Sequence, residues 1–352
     1  MQFLKQFIFL ISAAIWIHSA IAEQLTIHME PPSLYKRASG GSRWDVFLEG
    51  VIDPQAHVRV QHELNKLGSA DADVYLNSPG GNLLAGIELG KVLRKAGTST
   101  HIGKKVGGLK DIQPGSCMSS CSLAFLGGVY RFMPKDSVYG VHRVFSTSES
   151  STNDLDVGQI LSAAISNYIR EMGVEPELFD RMVRAGKDEI YLLTPTETVS
   201  LLVVNNGRQR AEWSIEASQG MQYLRGAQQT IYGMGKALFS CIKGSLILHS
   251  IYEAGPMAES IANGQWEHSL MINSDILPLP PPTRLLNDNG YINAIFALTP
   301  SQVRSVYTAN SVGHSMQLSR DAPTFIGYRV DIAPSAAKRV RGFIDNCMSP
   351  LE

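Results

Sequence analysis

The sequence predicts an α/β layered domain followed by a second domain of mixed α+β composition. Three observations carry this reading. Short β-type runs alternate with helical periodicity between residues 44 and 202, and composition changes near Asn205-Asn206-Gly207. The chain, at 352 residues, is longer than one hydrophobic core usually serves. Its 44% apolar and 18% charged content is that of a globular chain, not a disordered one. With 31 basic against 32 acidic residues there is no surplus charge for wrapping nucleic acid or for an acidic tail. Four cysteines are too few for a disulfide framework.

Residues 1–22 are excluded from the fold. Lys5 supplies a positive start, residues 7–17 are almost continuously apolar, and Ala20-Ile21-Ala22 is a small-x-small site before Glu23. This is the build of a secretory signal peptide. The apolar run is short for a hydrocarbon core of about 30 Å, and no later segment reaches about 18 uninterrupted apolar residues. No stable membrane span is therefore expected once the leader is removed. Without Lys5 the mature chain keeps 30 bases and 32 acids, a charge of −2. Its expected location is periplasmic or secreted, where disulfides are permitted.

The elements follow in order. Residues 24–45 are polar and read as a lead-in. Val46, Phe47 and Leu48 centre a strand over 44–49, closed by a turn at 50–54. The spacing of Val58, Val60, Leu64 and Leu67 predicts an amphipathic helix over 56–67. A strand over 73–77 is broken by Ser78-Pro79-Gly80-Gly81, and helix periodicity returns over 82–95 with Gly97 as its stop signal. A strand over 98–103 completes strand-helix-strand-helix-strand. Residues 104–116 read as a flexible insertion, 117–126 as a small apolar segment, and 137–145 as a strand containing His142. After a polar loop, Asp154 is placed to cap a helix over 155–172. A helix over 176–185, a strand over 191–193 and a short helix begun by Thr194-Pro195 close this domain, 23–206.

The second domain, 207–352, has an unassigned fold. It holds strand candidates such as 245–252 and a stiff Leu277-Pro278-Leu279-Pro280-Pro281-Pro282 segment. Strand-like 295–298 and 328–332 each precede a helix opened by a proline, Pro300 and Pro334. That pattern reads as a duplicated strand-helix unit or as coincidence.

Three features suggest chemistry: Asn77-Ser78-Pro79-Gly80-Gly81 after a strand, Ser119-Ser120 within 117–126, and His142 on a strand. Adjacent glycines at a strand-to-helix junction let backbone amides converge on one point, which suits an oxyanion. A serine at a turn beside a histidine is the minimum for nucleophilic attack assisted by a general base. Each feature also has a plain structural role: a glycine turn, a capping serine, a core histidine.

These motifs resemble the Clp-type serine peptidases, within the wider crotonase-like superfamily. The glycine motif matches at 77–81, and the nucleophile segment at Cys117-Met118-Ser119-Ser120-Cys121, continuing through Ala124 and Leu126 to Gly127. The resemblance covers residues 46–206. It implies a crotonase-like fold, Ser119 as nucleophile and His142 as base, with Gly81, Gly80 and Ser120 amides as oxyanion donors. Tyr191-Leu192-Leu193-Thr194-Pro195 matches the strand and turn after the family's acid, so the third member falls on Glu189 or on Asp188. The resemblance also implies a peptide or protein substrate, laid as a strand beside residues 81–83, and self-association into a homo-oligomer. Cys121 stands where the family has glycine, and the insertion and the second domain have no counterpart there. Ser120 as nucleophile, and Lys104 or Lys105 as base, remain open alternatives, as does a nucleophilic Cys117 or Cys121.

Cys117 and Cys121, four apart, fall on one face of a helical turn. A disulfide there would staple the turn that presents Ser119, and Cys241 would then pair with Cys347. Four cysteines allow three connectivities. No cofactor is implied, and no short-spaced ligand pattern suggests a metal. The expectation is thus an exported serine hydrolase, a peptidase if active. The competing expectation is an inactive exported binding or assembly protein on the same scaffold. An acyl-CoA enzyme comes third, because CoA is not expected outside the cytoplasm.

Overall fold

A computed structural model describes residues 24–38, 41–68, 71–107, 111–143, 154–186, 189–319, 322 and 324–348. The predicted leader and Asp188 lie outside the described residues. The architecture is mixed α/β, with two hydrophobic cores: one collects buried side chains from Leu25 to Val204, the other from Trp213 to Cys347.

The first half runs β1 (Thr26–Glu30), α1 (Leu34–Ala38), β2 (Trp44–Glu49), α2 (Ala56–Asn65), β3 (Ala72–Asn77), α3 (Leu83–Lys95), β4 (Ser99–Lys104), β5 (Gln113–Pro114), β6 (Ser116–Met118), α4 (Ser120–Leu126), β7 (Tyr130–Phe132), β8 (Val138–Val141), α5 (Asp154–Glu171), α6 (Glu177–Arg184), β9 (Tyr191–Leu192) and α7 (Pro195–Ser200). Strands β2, β3, β4 and β7 are parallel neighbours. Parallel strands need crossovers, and α2 and α3 supply the first two. Val46, Leu48, Val74, Leu76 and Ile102 are buried in one core with Val60 and Leu64 of α2 and Leu89 and Leu93 of α3. Val58, read onto the same helix face, is instead half-exposed. The alternate positions of the sheet carry a row of rings: His28, Phe47, Tyr75, His101 and Phe132 stack across five strands at centroid distances of 4.7 to 6.2 Å.

Two segments read as irregular contain strands. Within the lead-in, β1 pairs antiparallel with β2, because Ile27 and Met29 alternate with polar residues over too short a run to stand out. Within the insertion, β5 folds back on β4. A second, three-stranded sheet, β6-β8-β9, meets the large sheet at one point. There the Ser78 N–H donates to the Ser116 carbonyl at 2.7 Å, and the Met118 N–H donates to that of Ser78 at 3.0 Å.

The second half comprises β10 (Glu212–Ser218), β11 (Met221–Thr230), β12 (Gly233–Ile242), β13 (Ser245–Glu253), α8 (Ala258–Ala262), β14 (Glu267–Ile272), β15 (Asp275–Pro278), β16 (Arg284–Asp288), β17 (Tyr291–Ala297), α9 (Pro300–Tyr307), β18 (Ser311–Gln317), β19 (Ile326–Asp331) and α10 (Pro334–Met348). Every strand pair in it is antiparallel: a six-stranded sheet β10-β11-β12-β13-β17-β16 and a four-stranded sheet β15-β14-β18-β19. The proline-rich segment begins in β15, at the edge of its sheet, where a missing donor is tolerated. The two strand-helix units that echo in sequence end up in different sheets, β17 in the larger and β19 in the smaller.

Both disulfides are present: Cys117–Cys121, and Cys241–Cys347, which ties β12 to α10. Among the described residues no helix is long and apolar enough to cross a membrane.

Candidate active site

The small sheet places the two leading residues. Strands β6 and β8 are parallel neighbours, with Met118 opposite Gly140. Their carboxyl ends therefore lie side by side, the end of a parallel sheet where ligand-handling residues gather. Ser119 follows β6 and His142 follows β8, one step beyond the strand rather than within it. The His142 Nε2 lies 2.6 Å from the Ser119 Oγ, and its Nδ1 lies 2.8 Å from the Arg143 carbonyl oxygen. A carbonyl only accepts, so Nδ1 carries the proton and Nε2 is left to accept from the serine hydroxyl.

Ser119 has φ 58° and ψ −126°, a conformation that a residue with a Cβ rarely adopts. Such strain costs about 1–3 kcal/mol and persists only where surroundings enforce it. Here the Ser119 N–H donates to the Gly140 carbonyl and its carbonyl accepts from the Ser122 N–H, both at 3.0 Å. The Cys117–Cys121 disulfide closes the turn from both sides, with both residues fully buried. Gly140 leaves room for its neighbours: a Cβ there would stand 2.4 Å from the Met118 sulfur and 2.6 Å from the Ile190 Cγ2, so those side chains would have to turn aside.

The Asn77-to-Gly81 motif braces this turn. The Asn77 Oδ1 accepts from the Ser116 N–H at 3.1 Å, linking β3 to the start of β6. Gly80 has φ +101°, and a Cβ on it would stand 2.6 Å from that of Ser119. Gly81 has φ +146°, and a Cβ there would lie 2.3 Å from the Ile52 carbonyl oxygen. That close approach is held by Ile52 N–H to the Gly80 carbonyl (2.8 Å) and Asn82 N–H to the Ile52 carbonyl (2.7 Å). Asn82 then caps α3, its Oδ1 accepting from the Ala85 N–H at 2.9 Å.

Not every expected role fits the geometry. The Gly80 N–H donates to the Ser78 Oγ at 3.1 Å, so it is already engaged and is a poor oxyanion donor. The amides of Gly81 and Ser120 donate to no group among the described residues. The Ser120 side chain is buried and its Oγ has no partner, which sets it apart from Ser119 as a nucleophile. Glu189 is not brought to His142: its carboxylate accepts from the Gly186 N–H at 3.3 Å. Asp188 is outside the described residues. The Lys105 ammonium pairs with Glu30 and sits 5.7 Å over the Phe47 ring. Both thiols of the nucleophile segment are consumed in the disulfide. Among the described residues no group of three or more His, Cys, Asp and Glu side chains is placed to hold a metal ion.

Sequence reasoning missed two polar clusters. In the first, Arg131 is buried and donates to the carbonyls of Val203, Leu202, Gly128, Met172 and Leu126. Burial, reinforced by neighbouring Arg94, pulls its pKa down to about 10. The second is a chain of hydrogen bonds in the other core. The Ser250 Oγ lies 2.8 Å from the His314 Nδ1, and the His314 Nε2 lies 3.0 Å from the His268 Nδ1. Tyr328 lies at the serine end, its hydroxyl donating to the Lys236 carbonyl at 2.6 Å. Burial, then repulsion from His268, pushes the His314 pKa down to about 3. The alternation Val312-x-His314-x-Met316 marks His314 as inward-facing, the one signal that the sequence offered.

No protein-family model matches the chain, and no curated protein matches it. Among solved structures the chain is similar to a mutant of the 1510-N membrane-bound stomatin-specific protease. The identity is 16%, with 45% of this chain and 75% of that chain covered and a TM-score of 0.36.

Proposed function

We propose that this chain is an exported serine hydrolase, a peptidase built on a Clp-type, crotonase-like domain. The observation that carries the proposal is the 2.6 Å contact between the Ser119 Oγ and the His142 Nε2, made by a serine in a strained turn. The parallel layout of β2, β3 and β4 with crossover helices, and the glycine motif pressed against Ser119, support the fold reading. Two disulfides behind an apolar leader support export.

In this reading the Ser119 Oγ attacks the scissile carbonyl carbon as its proton passes to the His142 Nε2. The Gly81 and Ser120 amides receive the charge that develops on the carbonyl oxygen. Collapse of the tetrahedral species breaks the C–N bond, and the imidazolium returns its proton to the departing amine. Water, deprotonated by His142, then releases the acyl group. The Arg143 carbonyl holds the imidazole in the tautomer that the attack needs.

Fluorophosphonate labelling of the mature protein tests this. Wild type is expected to form one adduct that maps to Ser119, and Ser119→Ala is expected to form none. An unlabelled wild type, or a variant labelled as fully as wild type, overturns the assignment.

A further inference from the structure

The two amides that the proposed mechanism uses belong to different helices. Gly81 stands two residues before α3, and Ser120 opens α4. Their separation therefore depends on how α3 is set against α4. Three positions on one stripe of α3 fix that arrangement. At Gly86, a Cβ would stand 2.5 Å from the Ser120 carbonyl oxygen and 2.8 Å from the Ser120 Cβ. At Gly90, one would stand 3.1 Å from the Leu123 carbonyl oxygen and would overlap the Tyr168 hydroxyl, while one on Gly127 would stand 2.0 Å from the Gly90 carbonyl oxygen. One turn further, Arg94 donates to the carbonyls of Gly127 (2.9 Å), Leu126 (3.0 Å) and Gly128 (3.1 Å). Contacts that advance together along both helices mean that the helices run parallel, with their amino ends at the same place. Backbones this close have no slack: a shift of either helix closes on bare peptide groups rather than on side chains that can turn aside.

The far end of α4 is equally constrained. All seven of its residues are buried, so its terminal carbonyls need partners within the protein. Tyr139 donates to the Ser122 carbonyl at 3.1 Å, Tyr168 to that of Leu123 at 2.8 Å, and Thr100 to that of Phe125 at 2.8 Å. Arg94 meets Leu126 and, just beyond the helix, Gly127 and Gly128, sharing the Leu126 and Gly128 carbonyls with Arg131. Arg94 is partly buried and its bonds go to carbonyls alone, so its charge complements the carboxyl end of α4 while its fork fixes α3 against it.

We infer that Gly86, Gly90 and Arg94 are positioning residues: as a rigid spacer between α3 and α4 they set the distance between the Gly81 and Ser120 amides. The inference rests on the hydrolase reading above. It makes stabilisation of the developing charge, rather than substrate affinity, the property that these residues control.

The test is the rate of inactivation by a fluorophosphonate, resolved into kinact and KI, well below each variant's Tm. Gly86→Ala pushes directly on Ser120 and is expected to lower kinact by about 100-fold, with KI within about threefold, as for loss of one oxyanion donor. Arg94→Lys keeps the charge but not the fork, and a smaller fall of about tenfold is expected. It carries the test should Gly86→Ala fail to fold. Val60→Ala in α2 is the control for plain destabilisation: its Tm falls while kinact stays within about twofold. The pH profile of kinact should keep its midpoint in all three, since His142 is untouched. Anchor variants that lose Tm as Val60→Ala does but keep wild-type kinact overturn the spacer role and leave the hydrolase reading intact. A wild type that does not react overturns both.

Discussion

Among the described residues are two serine–histidine pairs of nearly equal length, one in each half, and they differ in everything but distance. Ser119 and His142 meet at 2.6 Å at the carboxyl ends of two parallel strands, both partly open to solvent. Ser250 and His314 meet at 2.8 Å between two antiparallel sheets, both 1% exposed. The first serine sits in a backbone conformation that its neighbours must enforce, and two unengaged amides stand on its flanking elements. The second lies within regular strand β13, and its histidine continues into another histidine and its hydroxyl into a tyrosine, so the hydrogen bonds serve one another. Proximity alone does not make a nucleophile. Strain, access and unspent donors around the pair do, and polar groups satisfied by each other are a core packed with hydrogen bonds.

The largest effect expected to separate the pairs is kinetic. His142→Ala should slow fluorophosphonate labelling by about 10²- to 10⁴-fold, the usual contribution of a general base, whereas His314→Gln should leave the rate within about twofold. A large effect from His314→Gln at a temperature where the variant is folded would break the comparison.

Next come the disulfides, which should divide in the opposite sense. Cys241–Cys347 closes a loop of 106 residues, and its removal as a pair of serines should cost about 4–5 kcal/mol in chemical denaturation. Cys117–Cys121 spans four residues, for which the same chain-entropy reasoning gives only about 2 kcal/mol. The short bridge should instead be the one whose loss slows labelling, because it closes the turn that carries Ser119. Equal losses of stability, or no change in labelling rate, would count against this division of labour.

The smallest expected effect is a separation in pH. In the second half, burial holds His314 neutral with a pKa near 3 against an ordinary 6.5, so the unfolded chain takes up a proton first as pH falls. What His314 contributes to stability is therefore full above pH 6.5 and is lost progressively from there toward pH 3. In the first half, hydrogen bonding from Arg59 holds Asp53 down at about 2. Burial pushes the Asp73 carboxyl up, but His101 at 3.7 Å and the Arg43 guanidinium at 2.7 Å outweigh that and hold it at about 2 as well. What these carboxylates contribute is lost only between pH 3.8 and 2. Calorimetry from pH 7 to 3 should show the second half melting earlier, by an amount worth a few kcal/mol at most. His314→Gln should flatten its pH dependence.

The halves were also unequally legible in sequence. Strand and helix order from residue 44 to 202 could be read closely, because buried parallel strands are short apolar runs and the helices between them are amphipathic. Ser119, His142 and the glycine motif came from the same stretch. Glu189 did not join them, since register counted through Tyr191 says nothing about which way a loop side chain turns. The second half was opaque for a different reason. Three of its hairpins are closed by two-residue turns with both central residues at positive φ: Gln219-Gly220, Lys243-Gly244 and Asn289-Gly290. Asn-Gly is a recognised hairpin signal, but Gln-Gly and Lys-Gly pass for ordinary loop sequence. The buried Ser250–His314–His268 chain was invisible because its members come from three strands of two sheets.

Arg131 ties the first half to the junction that follows it. Its guanidinium and backbone are held by residues 202, 203, 205 and 206, some 70 positions downstream. A chain that ends at α6 contains Ser119, His142 and the glycine motif and offers this guanidinium the carbonyls of Leu126, Gly128 and Met172, but not those of Leu202 and Val203. The buried cation is therefore fully met only when the junction between the halves is in place. A chain cut after α6 is expected to melt at a lower temperature than one cut after residue 206, although both contain the serine–histidine pair.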